Sequence, residues 1–428
     1  MSPLRAAPIA LALAAGVALA GEARAQAAPS PSSCTAKLGA ILPLTGSMGP
    51  VGKNIANSAE LAVAHVNAGG GVKGCTLQLI LRDDQGQPTV GVDAAKFLTD
   101  VERVPAITGT VSSGVTLPIL TSVAVPAKVP MISCCSTAAT FTRLAQEGKT
   151  EGYFFRTLPT VKTQAYASAK VAAERGYKRV AMVYINTDFG TGMVKDFEAA
   201  LGKLGGQIVA KVAYNENQPS YRAEVNQALA TKPDAVFFVA FPQDGATMTR
   251  EWISLGGTQN LILNNSLRAP EYVKAVGARF LQKAFGMDNA SVGGPTVDGF
   301  RKSYEAAYKA TSDGPGLATQ YDAVMLYGLA MNAAPELNGP AIRDALRKVQ
   351  DPNGALVGTG PDAFKEAVAL IKAGKPVRYS GATGPITFDA AGDVSGPALI
   401  WTVKGDDLAV ERTLTLEDMA AVFKQIDG

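Results

Sequence analysis

The sequence predicts an α/β protein made of two doubly wound units, each a parallel sheet with helices on both faces. Three observations lead there. Strand-length apolar runs alternate with segments of helical period, and the whole alternation occurs twice. At 428 residues the chain exceeds what one hydrophobic core usually organises. The run Val180–Ile185 is apolar throughout, as in a strand covered on both faces.

In the first unit, Leu38–Leu42 predicts a strand followed by a Gly-rich turn. A helix is expected over 53–67, with Ile55, Ala59, Ala62, Val63 and Val66 on one face. Thr76–Leu81 is a second strand, and a helix near 90–102 is expected to bury Ala94, Phe97, Leu98 and Val101. Short strands near 105–109 and 129–132 follow. This βαβα order implies parallel strands with crossover helices.

The second unit starts at Val180–Ile185. Its first helix carries Met193, Phe197, Ala200, Leu201 and Leu204, and Gly205-Gly206 stops it. Strands at 207–213, 235–240 and 261–263 alternate with helices near 220–230 and 245–255. The segment Phe155-Arg156-Thr157-Leu158-Pro159 between the units is the expected hinge. Three amphipathic helices are predicted from 295 to 349. A tail from 379 carries Gly and Asp turns and the strand Ala398–Val403, and such elements can cross back to complete the earlier units.

Composition excludes several classes. With 47% hydrophobic residues and a formal net charge of +3, the chain is neither disordered nor basic enough to argue for nucleic acid or anionic membranes. Its single histidine, His65, argues against His-based metal sites and His-dependent triads. Arg5, the apolar stretch 6–20 and Ala23-Arg24-Ala25 read as an export signal over 1–25, cleaved near Ala25. Export makes the four cysteines candidates for disulfides. Cys34 and Cys75 precede consecutive strands, and a bridge is sterically reasonable if those strands are parallel neighbours. Cys134 and Cys135 are adjacent, and are either two small buried apolar groups or a strained vicinal bridge.

Polar clusters follow the strand ends, where open α/β sheets bind ligands. Gly46–Lys53 is a Gly-rich strand-to-helix turn, but it matches neither the phosphate loop nor G-x-G-x-x-G. It serves either backbone approach to a ligand or a tight turn alone. Thr110–Thr116 and Ser133–Thr137 are rich in hydroxyls, and each hydroxyl taken alone reads as a helix cap. In the second unit Phe189, Phe241, Asn265 and Ser266 follow strand ends, with Asp244 and Arg268 as nearby charges. Asp83-Asp84 reads as a loop and helix-start feature, and His65 as a boundary residue.

These segments resemble the solute-binding proteins of ABC importers. The similarity is to the leucine/isoleucine/valine-binding group and its amide-, urea- and aromatic-acid-binding relatives. It is carried by Gly39–Gly46 (GAILPLTG), Ala62–Gly74 (AVAHVNAGGGVKG), Leu81–Asp84, Ser112-Ser113, Pro130–Ser133 with Ser136-Thr137, and Tyr184–Gly190. Tyr379-Ser380-Gly381, Gly384, Phe388-Asp389 and Gly392-Asp393 extend it to the tail. The resemblance implies two lobes joined by three crossovers, with 35–157 and 290–392 in one lobe and 158–289 and 393–428 in the other. It implies a small-molecule ligand in the cleft, a permease and its ATPase as partners, a periplasmic monomer, and neither cofactor nor catalysis. Ser113, Cys135 and Thr137 would grip a ligand carboxylate or its equivalent, Ser136 would also be a ligand-binding residue, Met48 and Val51 would line the pocket, and Phe189 and Phe241 would close over it. Amino-acid binders of this group place an acidic residue near 265–266, where this chain has Asn265 and Ser266. A buried ammonium without a carboxylate is costly, so the ligand is expected to be a neutral amide or an amine-free carboxylate. A ligand sensor is the alternative function, and an exported Cys or Ser enzyme a further one.

Overall fold

The computed structural model describes residues 34–428, so the expected signal segment lies outside the described residues. The first sheet comprises β1 (Thr35–Leu42), β2 (Thr76–Asp83), β3 (Ile107–Gly109), β4 (Met131–Ser133) and β5 (Phe154–Arg156). All pair in parallel, in the order β2-β1-β3-β4-β5. The second sheet repeats that winding with β6 (Arg179–Ile185), β7 (Gln207–Tyr214), β8 (Ala235–Val239), β9 (Leu261–Leu263) and β10 (Phe285–Asn289), in the order β7-β6-β8-β9-β10. A small parallel pair follows, β11 (Ala355–Val357) with β12 (Val377–Tyr379). Then β13 (Ala398–Lys404) and β14 (Asp407–Leu414) add to β10 in antiparallel fashion. The second sheet is therefore mixed at this edge rather than wholly parallel. In both sheets the strand order reverses beside the first strand, which opens a crevice at the carboxyl ends.

Two main cores match the two sheets, and a smaller third cluster of residues within 41–154 packs on the first sheet. One joins strands and helices of 161–287 to residues 398–426. The other joins residues of 36–155 to residues 300–388. Helix Leu317–Ala333 was expected to be amphipathic, but it is buried on nearly every face. It lies among helices Gly49–Ala68, Gly339–Lys348 and Pro361–Lys372, so no side is left for water.

Local departures have local causes. The helix after β2 runs Pro88–Lys96 and passes into a π-turn over Phe97–Val101. The wider turn shifts the inward face, so Ala95 and Leu98 are buried while Val101 is 64% exposed. Phe155 and Arg156 belong to β5, and the interlobe segment begins at Thr157. Helices Ala139–Gln146, Val161–Glu174 and Leu416–Asp427 were not anticipated, nor were β10 and β14. Thr35 and Thr76 are register partners, and Cys34 is bonded to Cys75 beside them. Cys134 and Cys135 are bonded to each other.

The chain crosses between the sheets three times, after β5, after β10 and before β13. These crossings are tied together. Ala290 N donates to Pro397 O at 3.0 Å. The Arg156 side chain is fully buried and its Nε meets Asp393 Oδ1 at 2.6 Å. Its other nitrogens reach Ser136 O, Ala138 O and Thr142 Oγ1. Thr142 Oγ1 in turn donates to Asp393 Oδ2 at 2.6 Å. Gly392 (φ +84°) makes the bend possible, since a Cβ there would lie 2.2 Å from Phe154 O.

Candidate ligand cleft

A cleft of about 290 Å³ opens between the carboxyl ends of the two sheets. Its first-lobe wall starts at the turn after β1. Asp83 builds that turn by accepting from Leu44 N at 2.8 Å, Thr45 N at 3.3 Å and Thr45 Oγ1 at 2.6 Å. Burial pushes the Asp83 pKa up, but these bonds and one from Gln85 N outweigh it and hold it below the usual value. Asp83 is thus a brace for the wall, beyond the loop role expected of it. Met48, at the cap of helix Gly49–Ala68, and Val51 and Ile55 within that helix line the cleft. At the start of this helix Pro50 supplies no backbone donor.

Ser112, Ser113 and Cys135 follow β3 and β4 into the same wall. Ser113 Oγ accepts from Ala138 N at 3.3 Å, which leaves its proton for another acceptor. Two sequence-predicted residues stand behind this wall instead of lining it. Ser136 turns its hydroxyl to Thr116 Oγ1 at 2.7 Å, within a buried network that includes Thr110. Thr137 is 1% exposed, its carbonyl accepts from Val161 N, and its hydroxyl has no partner.

The second-lobe wall holds Phe189 and Phe241, whose rings lie 6.5 Å apart and nearly parallel. Asn265 and Ser266 line it as well. Asn265 is 8% exposed and its Oδ1 has no partner. So Met48, Val51, Ser113, Cys135, Phe189, Phe241, Asn265 and Ser266 converge on one cavity, although they span both lobes.

Charges in the cleft are paired. Arg268 Nη1 meets Asp288 Oδ2 at 3.3 Å, and Asn289 N donates to Asp288 Oδ1 at 2.7 Å. Burial raises the Asp288 pKa even with Arg268 beside it. On the other wall Arg301 lies 3.7 Å from Asp313. Asp244 stands outside the cavity, where its Oδ1 accepts from Tyr221 OH at 2.6 Å. Burial raises its pKa too. Asp244 does not share the cavity with Asn265 and Ser266.

Sequence reasoning missed Asp288, Asn289, Gly316, Thr319 and Thr383, all of which line the cleft. The strand-end rule covers Asp288 and Asn289, but β10 is too short and polar at its end to be read as a strand. Thr383 is brought in by Asp322, a buried carboxylate that accepts from Thr383 N, Thr383 Oγ1, Ala382 N and Tyr379 OH. Burial lifts the Asp322 pKa to about 6 against those bonds. His65 sits half-buried with Nδ1 2.7 Å from Tyr321 OH, away from the cleft.

Residues 35–406 match the family model described as periplasmic binding protein. A chemotactic signal transduction substrate-binding protein, BasB, of Halobacterium salinarum is 28% identical over 83% of this chain and 83% of its own length. The Leu/Ile/Val-binding protein BraC3 of Rhizobium johnstonii is 28% identical over 84% of this chain and 88% of its own. Among solved structures, the leucine-binding protein LivK of Thermotoga maritima superposes with a TM-score of 0.76 at 23% identity, covering 90% of this chain and 99% of that one.

Proposed function

Since the chain belongs to the periplasmic binding protein family, we propose that it is the substrate-binding component of an ABC importer. It captures a small organic solute, an amino acid, amide or carboxylate, in the interlobe cleft. Residues 35–157 and 290–392 form one lobe, and 158–289 and 393–428 the other. Support comes above all from one observation: apolar side chains and unpartnered polar atoms from both sheets face a single cavity across the crossovers. A solute touching both walls stabilises the closed arrangement and shifts an open-closed equilibrium towards it. A permease and its ATPase at the inner membrane read that closed form, and the exported protein acts as a monomer in the periplasm.

Met48, Val51, Phe189 and Phe241 contact the solute body, while Ser113, Cys135, Asn265 and Ser266 contact its polar groups. The absence of an amine is favoured by the cleft charges. Asp288 already serves Arg268 and Asn289, so an ammonium would find no uncommitted carboxylate beside Asn265. Cys134 and Cys135 are bonded to each other and His65 is bonded to Tyr321, an arrangement suited to binding and release without chemistry.

A thermal-shift screen over amino acids, amides and aromatic acids tests this reading, because a ligand that binds only the folded chain raises its melting temperature by mass action. Small-angle scattering of the same samples should show compaction with the stabilising solute. No stabilising solute and no compaction would refute it. The name of the Halobacterium relative favours a second reading, in which the closed form is presented to a receptor. Permease and ATPase genes beside this one would favour import.

A further inference from the structure

Helix Leu317–Ala333 begins in the cleft wall with its first turn uncommitted. Its N-cap is Gly316, which has φ +82° and no side chain to offer. The first intrahelical bond runs from Gln320 N to Gly316 O. The N–H groups of Leu317, Ala318 and Thr319 therefore have no partner among the described residues. A second observation lies in the same turn. Thr319 is only 7% exposed, lines the cleft, and its Oγ1 has no hydrogen-bond partner.

The turn packs closely against the first-lobe wall. A Cβ on Gly316 would stand 2.6 Å from Ile55 Cδ1 and 2.7 Å from Cys135 Sγ. Only glycine lets the disulfide wall and the helix start meet so closely. Of the cationic side chains of the cleft, Arg268 is paired with buried Asp288, and Arg301 is half-exposed and lies 3.7 Å from Asp313. This helix start is itself a positive pole in the wall, where aligned N–H groups and the helix dipole favour an anion.

We propose that the first turn of helix Leu317–Ala333, with the Thr319 hydroxyl, is the subsite that receives a carboxylate of the solute. This rests on the solute-binding reading above. It moves the carboxylate from the expected grip of Ser113, Cys135 and Thr137 to the adjoining helix start. Ser113 contributes from the side, and Thr137 stands behind the wall. An uncharged amide of the same skeleton gains less there, because hydrogen bonds to an ionised acceptor are about twice as strong.

The test is isothermal titration of the mature chain with matched pairs: benzoate and benzamide, 4-methylpentanoate and its amide, leucine and leucinamide. For each skeleton that binds, the acid should bind at least ten-fold tighter than its amide. Thr319→Val, which keeps the shape and removes the hydroxyl, should weaken the acid about ten-fold and leave the amide within two-fold. Thr319→Ser should restore the acid. Circular dichroism and melting of each variant report folding, and the wild-type acid-to-amide ratio decides the matter if Thr319→Val does not fold. Acids and amides of equal affinity, or equal losses for both in Thr319→Val, would overturn the subsite. Amides that bind where their acids do not would overturn it while solute binding stands. No binding of any probe, with no small molecule retained in native mass spectrometry, would overturn solute binding and the subsite together.

Discussion

Asp393→Asn should destabilise the protein more than any surface substitution of the same chemistry. The carboxylate has two partners at 2.6 Å, Arg156 Nε and Thr142 Oγ1. Arg156 is 0% exposed and Asp393 6%, so solvent cannot replace the lost charge. The amide keeps one contact to Thr142 but leaves the guanidinium with only Ser136 O, Ala138 O and Thr142 Oγ1 as neutral acceptors. Breaking a buried pair by removing one partner costs about 3–5 kcal/mol. Stripping one partner from a buried ion also costs far more than the pair itself contributes, so a double variant is informative. Arg156→Met with Asp393→Leu should recover much of the loss. Urea unfolding of the wild type and both variants measures this through the midpoint and slope. A loss below about 1 kcal/mol for Asp393→Asn would refute the reasoning, because it is the scale of an exposed pair. It would mean that carbonyl groups alone hold Arg156, and that the crossovers do not depend on the ion pair.

Other outcomes follow from single sites. Asp84 is 1% exposed, and burial raises its pKa from 3.8 to about 7. The folded chain therefore holds this proton more tightly than the unfolded chain, and its contribution is complete below pH 3.8 and lost as the pH rises through about 7. Asp84→Asn should flatten the fall in stability across that window and be more stable than wild type at pH 8, by up to about 4 kcal/mol. Urea midpoints at several pH values check the slope, and an unchanged slope would show that Asp84 does not carry it. Replacing Cys34 and Cys75 by Ser opens a loop with a sequence separation of 41. The loss should be about 4 kcal/mol by the loop-entropy relation. Melting in the absence of reductant compares the two forms. Phe241→Ala removes a ring that lies 5% exposed at the cleft beside Phe189. It should weaken the stabilising solute at least ten-fold, a loss of about 1.4 kcal/mol, as read by titration calorimetry.

Much of the fold could be read from short patterns. Leu38–Leu42, Val180–Ile185 and 261–263 are apolar runs of strand length, and the structure has strands over each. The strand-end rule likewise led to Met48, Ser113, Cys135, Phe241 and Asn265, because a residue just past a parallel strand must emerge at one edge of the sheet. The errors share a cause. Val101 was assigned to the core by a constant helical period, and the π-turn at Phe97–Val101 breaks that period. Ser136 and Thr137 follow the same strand as Cys135, yet the chain turns there, and Ser133 Oγ accepts from Ser136 N at 3.0 Å to hold that turn. Helix Leu317–Ala333 has no polar face because three other helices surround it, a fact of packing that no window of its own sequence contains.

By itself the sequence determined the local alternation, the two sheets, the neighbouring cysteines Cys34 and Cys75, and the neutral polar residues Asn265 and Ser266 just past a strand end. These depend on side-chain period and residue chemistry, which are local. Only the tertiary structure decided that Arg156 meets Asp393 across 237 intervening steps of chain, and that Gly316 and Thr319 reach the same cavity as Cys135. Such meetings depend on how remote segments return to the crossovers, and a linear pattern holds no distance between them. The physical reason is burial: an ion pair, a bare helix start and a lone hydroxyl acquire their energetic weight when distant chain removes them from water.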